Sequence, residues 1–342
     1  MNVKKAKQIA TEWISQVSTE LPTFHSAYLA GSIVYREDHS KLPKSSDLDV
    51  LIILNQADIP MKPGKIVYQG VLLDVTYLPW AQFQNSERIL GSYHLANSLK
   101  SKMILSDPTG ELQKIQAKVA DLFPKRMWVE ARCEDALERI TNNLDSHSNK
   151  TQWADQVMAW LFAAGVMTHV LLVADLQNPT VRLRYLNVKK LLRTYDLDHV
   201  YEELLDFLGC RELSSDRISS HLNQLETTFD AAVSIAKTPL FFSSDITKEA
   251  RSIAIDGSCE LIKAGSHREA VFWMVATYAR CHQIFALDAP KLLHMPGFNS
   301  LLADLGITST DDLDKRVAEI REYLPNLKKY AEAIMSQNSG SG

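Results

Sequence analysis

The feature that most constrains the fold of this chain is a change of pattern near Pro124. Before it, short apolar runs typical of strands alternate with helices, and after it almost every segment has helical periodicity. Such a division predicts an α+β protein. We expect a small mixed-sheet domain over residues 1–124, an all-helical domain over residues 125–337, and a disordered tail at residues 338–342.

The first part contains several predicted strands. "SAYLAG" is a short strand that ends at a glycine, and "DLDVLIIL" is a stronger, continuously apolar one. "KIVYQGVLLDVTYLP" predicts a hairpin that turns at Gln69-Gly70, because glycine-containing pairs favour two-residue turns. "KMILSDPTGEL" adds one more short strand. The predicted helices of the second part cover residues 128–144, 153–174, 188–195, 200–208, 217–236, 249–263, 268–287 and 313–335.

Two of these helices carry a predicted capping box at their start. Ser266 and Glu269 have the required spacing, and Ser309 and Asp312 form a weaker version with aspartate in place of glutamate.

Composition excludes several classes of function. With 342 residues and a net charge of −4, the chain has no basic lobe for a long nucleic acid. The apolar stretch from residue 157 to 174 includes Trp160, Thr168 and His169, so we expect a buried core helix and no membrane span. The four cysteines are far apart and the start "MNVKKAKQIA" lacks an apolar signal region, which favours a cytoplasmic protein.

An acidic pair marks the entrance of the strongest strand. Asp47 and Asp49 are two residues apart, so in a strand they project from the same face, with Cα atoms about 6.6 Å apart. Two like charges at the edge of a core are unfavourable unless a positive charge lies between them. A divalent cation such as Mg²⁺, which prefers carboxylates and substrate phosphates, would supply that charge.

Two further elements complete the pattern. Asp74 interrupts the apolar segment "VLLDVTYL", and an isolated carboxylate is rarely buried without a partner. If its strand neighbours Asp47-Leu-Asp49, three carboxylates meet and suit a two-metal site. Gly31 and Ser32, at the end of the first strand, can cradle a phosphate if "SIVYRED" opens a helix. Each aspartate taken alone can also be explained without a catalytic role, as a helix N-cap or as a solvated residue at the end of a strand.

Together, Gly31-Ser32, the element Ser46-Asp47-Leu48-Asp49 and the later Asp74 resemble the signature of the DNA polymerase β-like nucleotidyltransferases. The likeness covers residues 27–115 and is strongest to the antibiotic-modifying branch, such as the kanamycin, streptomycin and lincosamide nucleotidyltransferases. The resemblance implies transfer of a nucleoside monophosphate, with ATP as first donor, to a hydroxyl of a small molecule, releasing pyrophosphate. It also implies Mg²⁺, in two ions.

Site residues follow from the same resemblance. Asp47, Asp49 and Asp74 would hold the metals and form the catalytic site, while Gly31, Ser32 and Ser46 would bind the nucleotide. Two departures stand out: the loop from Ser32 to Ser46 is longer than in many relatives, and an arginine frequent in the family is replaced by Tyr35. Whether Arg36, one place later, makes that phosphate contact stays open. A homodimer stays open too, because some relatives build the active site across one.

The helical part contributes candidates without a clear choice. A basic run over residues 182–193 contains Lys189 and Lys190, which either reach the nucleotide or form a solvated helix face. A general base is expected among Glu130, Glu134, Asp135 and Asp155. An aminoglycoside-type or lincosamide-type antibiotic is the first acceptor to consider. The alternatives are a protein or RNA acceptor, as in toxin-neutralising relatives, and a catalytically silent nucleotide-binding scaffold.

Overall fold

The computed structural model describes residues 1–338. It is an α+β protein, with a small five-stranded mixed sheet near the N-terminus followed by a mostly helical part. Asn338 ends the last helix, and residues 339–342 of the predicted tail lie outside the described residues.

The sheet has the strand order β3-β4-β2-β1-β5. Its strands are β1 (Phe24–Ala30), β2 (Leu48–Leu54), β3 (Gly64–Tyr68), β4 (Val71–Pro79) and β5 (Ile104–Ser106). Strands β2 and β4 are parallel, and the other three pairs are antiparallel. The predicted strands are therefore confirmed, and so is the hairpin. Gln69 and Gly70 join β3 to β4 with φ values of 46° and 77°, the left-handed backbone that a two-residue hairpin turn requires.

Thirteen α-helices account for most of the remaining described residues. Their bounds are α1 (Val3–Glu20), α2 (Ser86–Gly91), α3 (Tyr93–Leu99), α4 (Glu111–Leu122), α5 (Arg126–His147), α6 (Trp153–Ala174), α7 (Arg184–Thr194), α8 (Asp198–Leu208), α9 (Ser215–Ile235), α10 (Gly257–Lys263), α11 (His267–Asp288), α12 (Gly297–Asp304) and α13 (Thr310–Asn338). The helix predicted from residue 249 instead begins with a π-helical turn, Ser252–Asp256, before α10.

The chain divides into two compact units. The first comprises Met1–Arg132 together with Phe241–Ile253, and the second comprises Cys133–Leu240 and the described residues from Ala254 onward. The segment 241–253, which the sequence pattern assigned to the helical part, thus packs with the sheet.

Alternating residues of the strands give the first unit two cores, one on each face of the sheet. Leu29 of β1 packs in a cluster with Ile9 of α1, whereas its neighbour Tyr28 packs in a second cluster with Leu112 of α4. This alternation decides which face each polar strand residue occupies.

In the second unit, α6 is the most apolar helix. Among residues 1–338 it alone is long and apolar enough to cross a membrane, but 89% of its most apolar window is buried inside the protein. The prediction of a buried core helix is therefore confirmed.

Candidate functional site

Strand register brings two of the predicted acids together. Asp49 of β2 is paired in parallel register with Asp74 of β4. Their neighbours Leu48 and Leu73 both face the core formed with α1, so Asp49 and Asp74 face the opposite side of the sheet. Asp47 directly precedes β2 and has the same parity as Asp49.

The turn at Gly31 lies directly against this pair. Gly31 has φ 71°, and a Cβ atom built on it would lie 1.7 Å from Oδ2 of Asp49. Glycine is therefore required twice here, for the left-handed backbone and for the close approach of the carboxylate. The Gly-Ser element and the acidic pair thus meet at one place.

A lysine lies at the centre of the cluster. The Lys65 ammonium, on β3, is 3.0 Å from Oδ2 of Asp47 and also contacts Oδ2 of Asp74. It is 3.1 Å from Oδ1 of Asp245, which ends a short 3₁₀ turn, Ser243–Asp245, in the segment that joins the first unit. The Lys65 side chain is 5% exposed, so this charge is almost fully enclosed by carboxylates.

A second lysine approaches the same site. The ammonium of Lys62 is 3.6 Å from Oδ1 of Asp74. This Oδ1 atom is buried and has no hydrogen-bond partner among the described residues. A buried carboxylate oxygen without a hydrogen bond is uncommon, because its desolvation is not compensated.

The cluster shifts the protonation of its members. Burial, followed by the neighbouring charges of Asp47 and Asp74, raises the pKa of Asp49 to about 8. Burial opposes the charge of Lys65, but Asp47, Asp245 and Asp74 outweigh it and raise the pKa of Lys65. Titratable groups with strongly shifted pKa values are typical of functional sites, although structural ion pairs produce them as well.

The donors fit a divalent cation, but their arrangement is that of an ammonium site. The three aspartates provide carboxylate oxygens, the ligands that Mg²⁺ prefers, and one buried oxygen among them accepts no hydrogen bond from the described residues. Yet within residues 1–338 no group of three or more His, Cys, Asp or Glu side chains is arranged to hold a metal ion. The Lys65 ammonium lies where the carboxylates converge and supplies the positive charge that the acidic pair requires.

The predicted phosphate-binding residues lie outside the strands and the α-helices. "SIVYRED" forms one 3₁₀ turn, Ser32–Tyr35, and does not open a longer helix. Arg36 follows this turn, and its buried Nε atom has no hydrogen-bond partner in the described part of the chain. Ser46 lies in the loop before β2, where its N–H donates to the Pro43 carbonyl oxygen at 3.3 Å.

The predicted lysines of the helical part belong to the second unit. The Lys189 ammonium donates to Oε1 of Glu269 at 2.7 Å, and the Tyr201 hydroxyl donates to the same oxygen at 2.7 Å. Lys190 is exposed. Glu269 is 2% exposed and does not form the predicted capping box, since Ser266 makes no side-chain cap. That prediction was wrong, because the tertiary contacts of Glu269 replace the local one.

All four candidate bases already interact with other groups, and the side-chain partners of three of them lie outside the acidic cluster. Arg126 donates to Glu130 at 2.8 Å, Lys328 contacts Glu134, and Gln283 contacts Asp155. Asp135 lies beside Glu134 on α5. The sequence pattern missed Lys65 and Asp245, although Lys65 in the strand "GKIVY" has the parity that places it on the same face as Asp74.

No family model matches the chain, and no curated protein matches it either.

Proposed function

We propose that this protein is a metal-dependent nucleotidyltransferase that moves a nucleoside monophosphate from a nucleoside triphosphate, with ATP first, to a hydroxyl of a small molecule. The observation that carries the proposal is the meeting of Asp47, Asp49 and Asp74 beside the glycine turn at Gly31. It rests also on the resemblance of these residues to the DNA polymerase β-like signature. A cytoplasmic location fits the nucleotide supply.

Different residues of this chain would have different roles in the reaction. The acceptor oxygen forms a bond to the α-phosphorus while the bond from that phosphorus to the bridging oxygen breaks, and pyrophosphate leaves. The hydroxyl proton passes to a base. Asp47, Asp49 and Asp74 would hold Mg²⁺, which stabilises charge on the transferred phosphoryl group when bound.

Residues around the glycine turn would orient the triphosphate. Gly31 leaves room for close approach of a ligand, and Ser32 offers a hydroxyl donor at the start of its turn. Arg36 has a buried Nε donor without a partner among the described residues, which supports a role in phosphate binding. Arg36→Met should raise the KM for ATP more than it lowers kcat.

The direct test uses the purified protein, ATP labelled in the α-phosphate, Mg²⁺ and a panel of aminoglycoside-type and lincosamide-type antibiotics. We expect pyrophosphate release that depends on one acceptor, and label transferred to that acceptor. Asp74→Asn should abolish transfer, whereas Asp58→Asn, on an exposed loop of the same unit, should not change it. ATP binding without pyrophosphate release, with any acceptor in the panel, would contradict the proposal.

One observation favours a second function, that of a silent nucleotide-binding scaffold. The ammonium of Lys65 already supplies a positive charge where the acids converge, and no metal-holding group is present in the described residues. In that case ATP binding would be independent of Mg²⁺ and unchanged in Asp74→Asn. The transferase proposal predicts instead that ATP binding depends on Mg²⁺ and changes in Asp74→Asn.

A further inference from the structure

The Lys65 ammonium has as many carboxylate neighbours as it has N–H donors. An ammonium group has three N–H donors. Three carboxylates lie within reach of it, those of Asp47, Asp74 and Asp245. In the absence of any other cation, this lysine is therefore the counter-ion of the cluster.

Asp245 comes from a distant part of the sequence, and its position does not depend on Lys65 alone. Gly64, with φ 71°, lies so close to the 3₁₀ turn that a Cβ atom on it would be 2.1 Å from Oγ of Ser244. This packing holds the turn against β3 next to Lys65. The Asp245 side chain is 13% exposed, so it faces the lysine and is largely shielded from water.

The three carboxylates around Lys65 differ in one respect. Asp47 and Asp74 belong to the predicted metal-binding set, whereas Asp245 lies outside it. A metal ion that takes Asp47 and Asp74 therefore removes two of the three partners of the ammonium and leaves the third. An ion that binds Oδ2 of Asp47 and Oδ2 of Asp74 has to displace the ammonium from these two oxygens.

We propose that Lys65 is a resident counter-ion that competes with the divalent cation for Asp47 and Asp74. Asp245 is the positioning residue that retains the ammonium when the cation takes them. The proposal rests on the proposed function, because it uses the same acid site. Because Asp245 holds it, the ammonium stays buried in the protein. It then keeps a positive charge beside the proposed triphosphate site.

The test measures Mn²⁺ binding by calorimetry to the full chain, without nucleotide or acceptor. Lys65→Met should lower the Kd for Mn²⁺ about tenfold or more, because it removes both the competitor and its charge. Lys62→Met is the matched control, since it removes the same charge from a lysine 3.6 Å from a single carboxylate. We expect this control to change the Kd by about threefold or less.

Asp245→Asn tests whether Asp245 positions the ammonium, and it keeps Lys65 in place. The ammonium then has Asp47 and Asp74 as its remaining charged partners and competes more strongly, so the Kd for Mn²⁺ should rise about threefold or more. Asp58→Asn should leave it unchanged. Equal Kd values for Asp245→Asn and Asp58→Asn would overturn the role of Asp245.

Thermal unfolding covers the case in which Lys65→Met is poorly folded. Its carboxylates repel one another without a counter-ion, so its Tm should be low without Mn²⁺ and rise with Mn²⁺ more than the wild-type Tm does. The proposal is wrong if Lys65→Met binds Mn²⁺ no better than Lys62→Met, or if neither wild type nor Lys65→Met binds it.

These readouts are separate from transferase activity. A protein that transfers no nucleotide but shows the tighter Mn²⁺ binding of Lys65→Met would contradict the proposed function alone. An active transferase in which Lys65→Met binds Mn²⁺ no better than Lys62→Met would contradict the counter-ion proposal alone.

Discussion

Each unit pairs a lysine with acidic side chains, and the two groups differ in how many carboxylates share the lysine. In the helical unit, Glu269 receives hydrogen bonds from Lys189 and Tyr201, so one carboxylate is matched by its donors. In the sheet unit, three carboxylates share the Lys65 ammonium, and Asp49 lies beside them. The first group is a closed structural pair, whereas the second contains more acid than its lysine can neutralise.

The pKa shifts follow the same division. Burial alone would raise the pKa of Glu269, but the hydrogen bonds from Lys189 and Tyr201 lower it below its usual value. Burial and like charges instead raise the pKa of Asp49. An excess of carboxylates that keeps one of them protonated is an arrangement that a cation would relieve.

The largest expected effect separates the two regions by function. Asp49→Asn should lower nucleotide transfer about 10³-fold or more while the fold stays intact, because the site loses a carboxyl group that would ionise to hold Mg²⁺. Glu269→Gln should instead lower stability and keep most of the turnover per folded molecule. Steady-state kinetics together with urea unfolding measure both. Similar losses of turnover in the two variants would contradict the assignment of a catalytic role to Asp49 and a structural role to Glu269.

A second prediction concerns the glycine turn. Gly31→Ala should lower turnover about 10²-fold, since its Cβ would displace the Asp49 carboxylate. Gly70→Ala is the matched control, because its φ of 77° is close to the 71° of Gly31 and nothing lies within 4 Å of its added Cβ. It should lose about 1–2 kcal/mol of stability with little change in turnover. Equal turnover in the two variants would mean that the position of Asp49 does not matter.

The helical pair gives a prediction for stability. Lys189→Met leaves the 2%-exposed Glu269 with one side-chain donor fewer, so the free energy of unfolding should fall by about 1–3 kcal/mol. Lys190→Met, at an exposed neighbour, should change it by less than about 0.5 kcal/mol. Urea unfolding measures both. If Lys189→Met unfolds like wild type but binds ATP weakly, Lys189 acts on the nucleotide, as its place in the basic run suggested.

The last prediction concerns the pH dependence of stability. Asp49 stays protonated in the folded state up to about pH 8, whereas its usual pKa is 3.8. Between these values the unfolded state binds fewer protons, so this group makes wild-type stability fall as pH rises from about 4 to about 8. The Tm of Asp49→Asn should therefore exceed the wild-type Tm by a few degrees more at pH 8 than at pH 5. Parallel Tm profiles would contradict the raised pKa.

Much of the sheet unit could be predicted because its signals are local. The hairpin at Gln69-Gly70 follows from turn chemistry, and the shared face of Asp49 and Asp74 follows from strand parity once their strands are neighbours. Ser309 and Asp312 form one half of the predicted capping box, with the Asp312 N–H donating to Oγ of Ser309 at 3.3 Å. The other half differs, because the Asp312 carboxylate accepts from the N–H of Thr308. In each case residues close in sequence carry the pattern.

The parts of the fold and site that could not be predicted depend on long-range contacts, which no local sequence pattern encodes. Asp245 reaches Lys65 from a short turn whose sequence, "SSD", has no strand or helix periodicity. Glu269 fits a capping box by spacing but is held by Lys189 and Tyr201 instead. Lys65 has the right parity, yet a lysine in a strand near the sheet edge is usually solvated, so its burial under three carboxylates depends on packing.

A crystal structure with Mn²⁺ and a non-hydrolysable ATP analogue tests the central claim most directly. Anomalous scattering should show Mn²⁺ at the carboxylate oxygens of Asp47, Asp49 and Asp74, with the ammonium of Lys65 turned toward Asp245. An unchanged Lys65 with no metal at these oxygens, at saturating Mn²⁺ and nucleotide, would contradict the account.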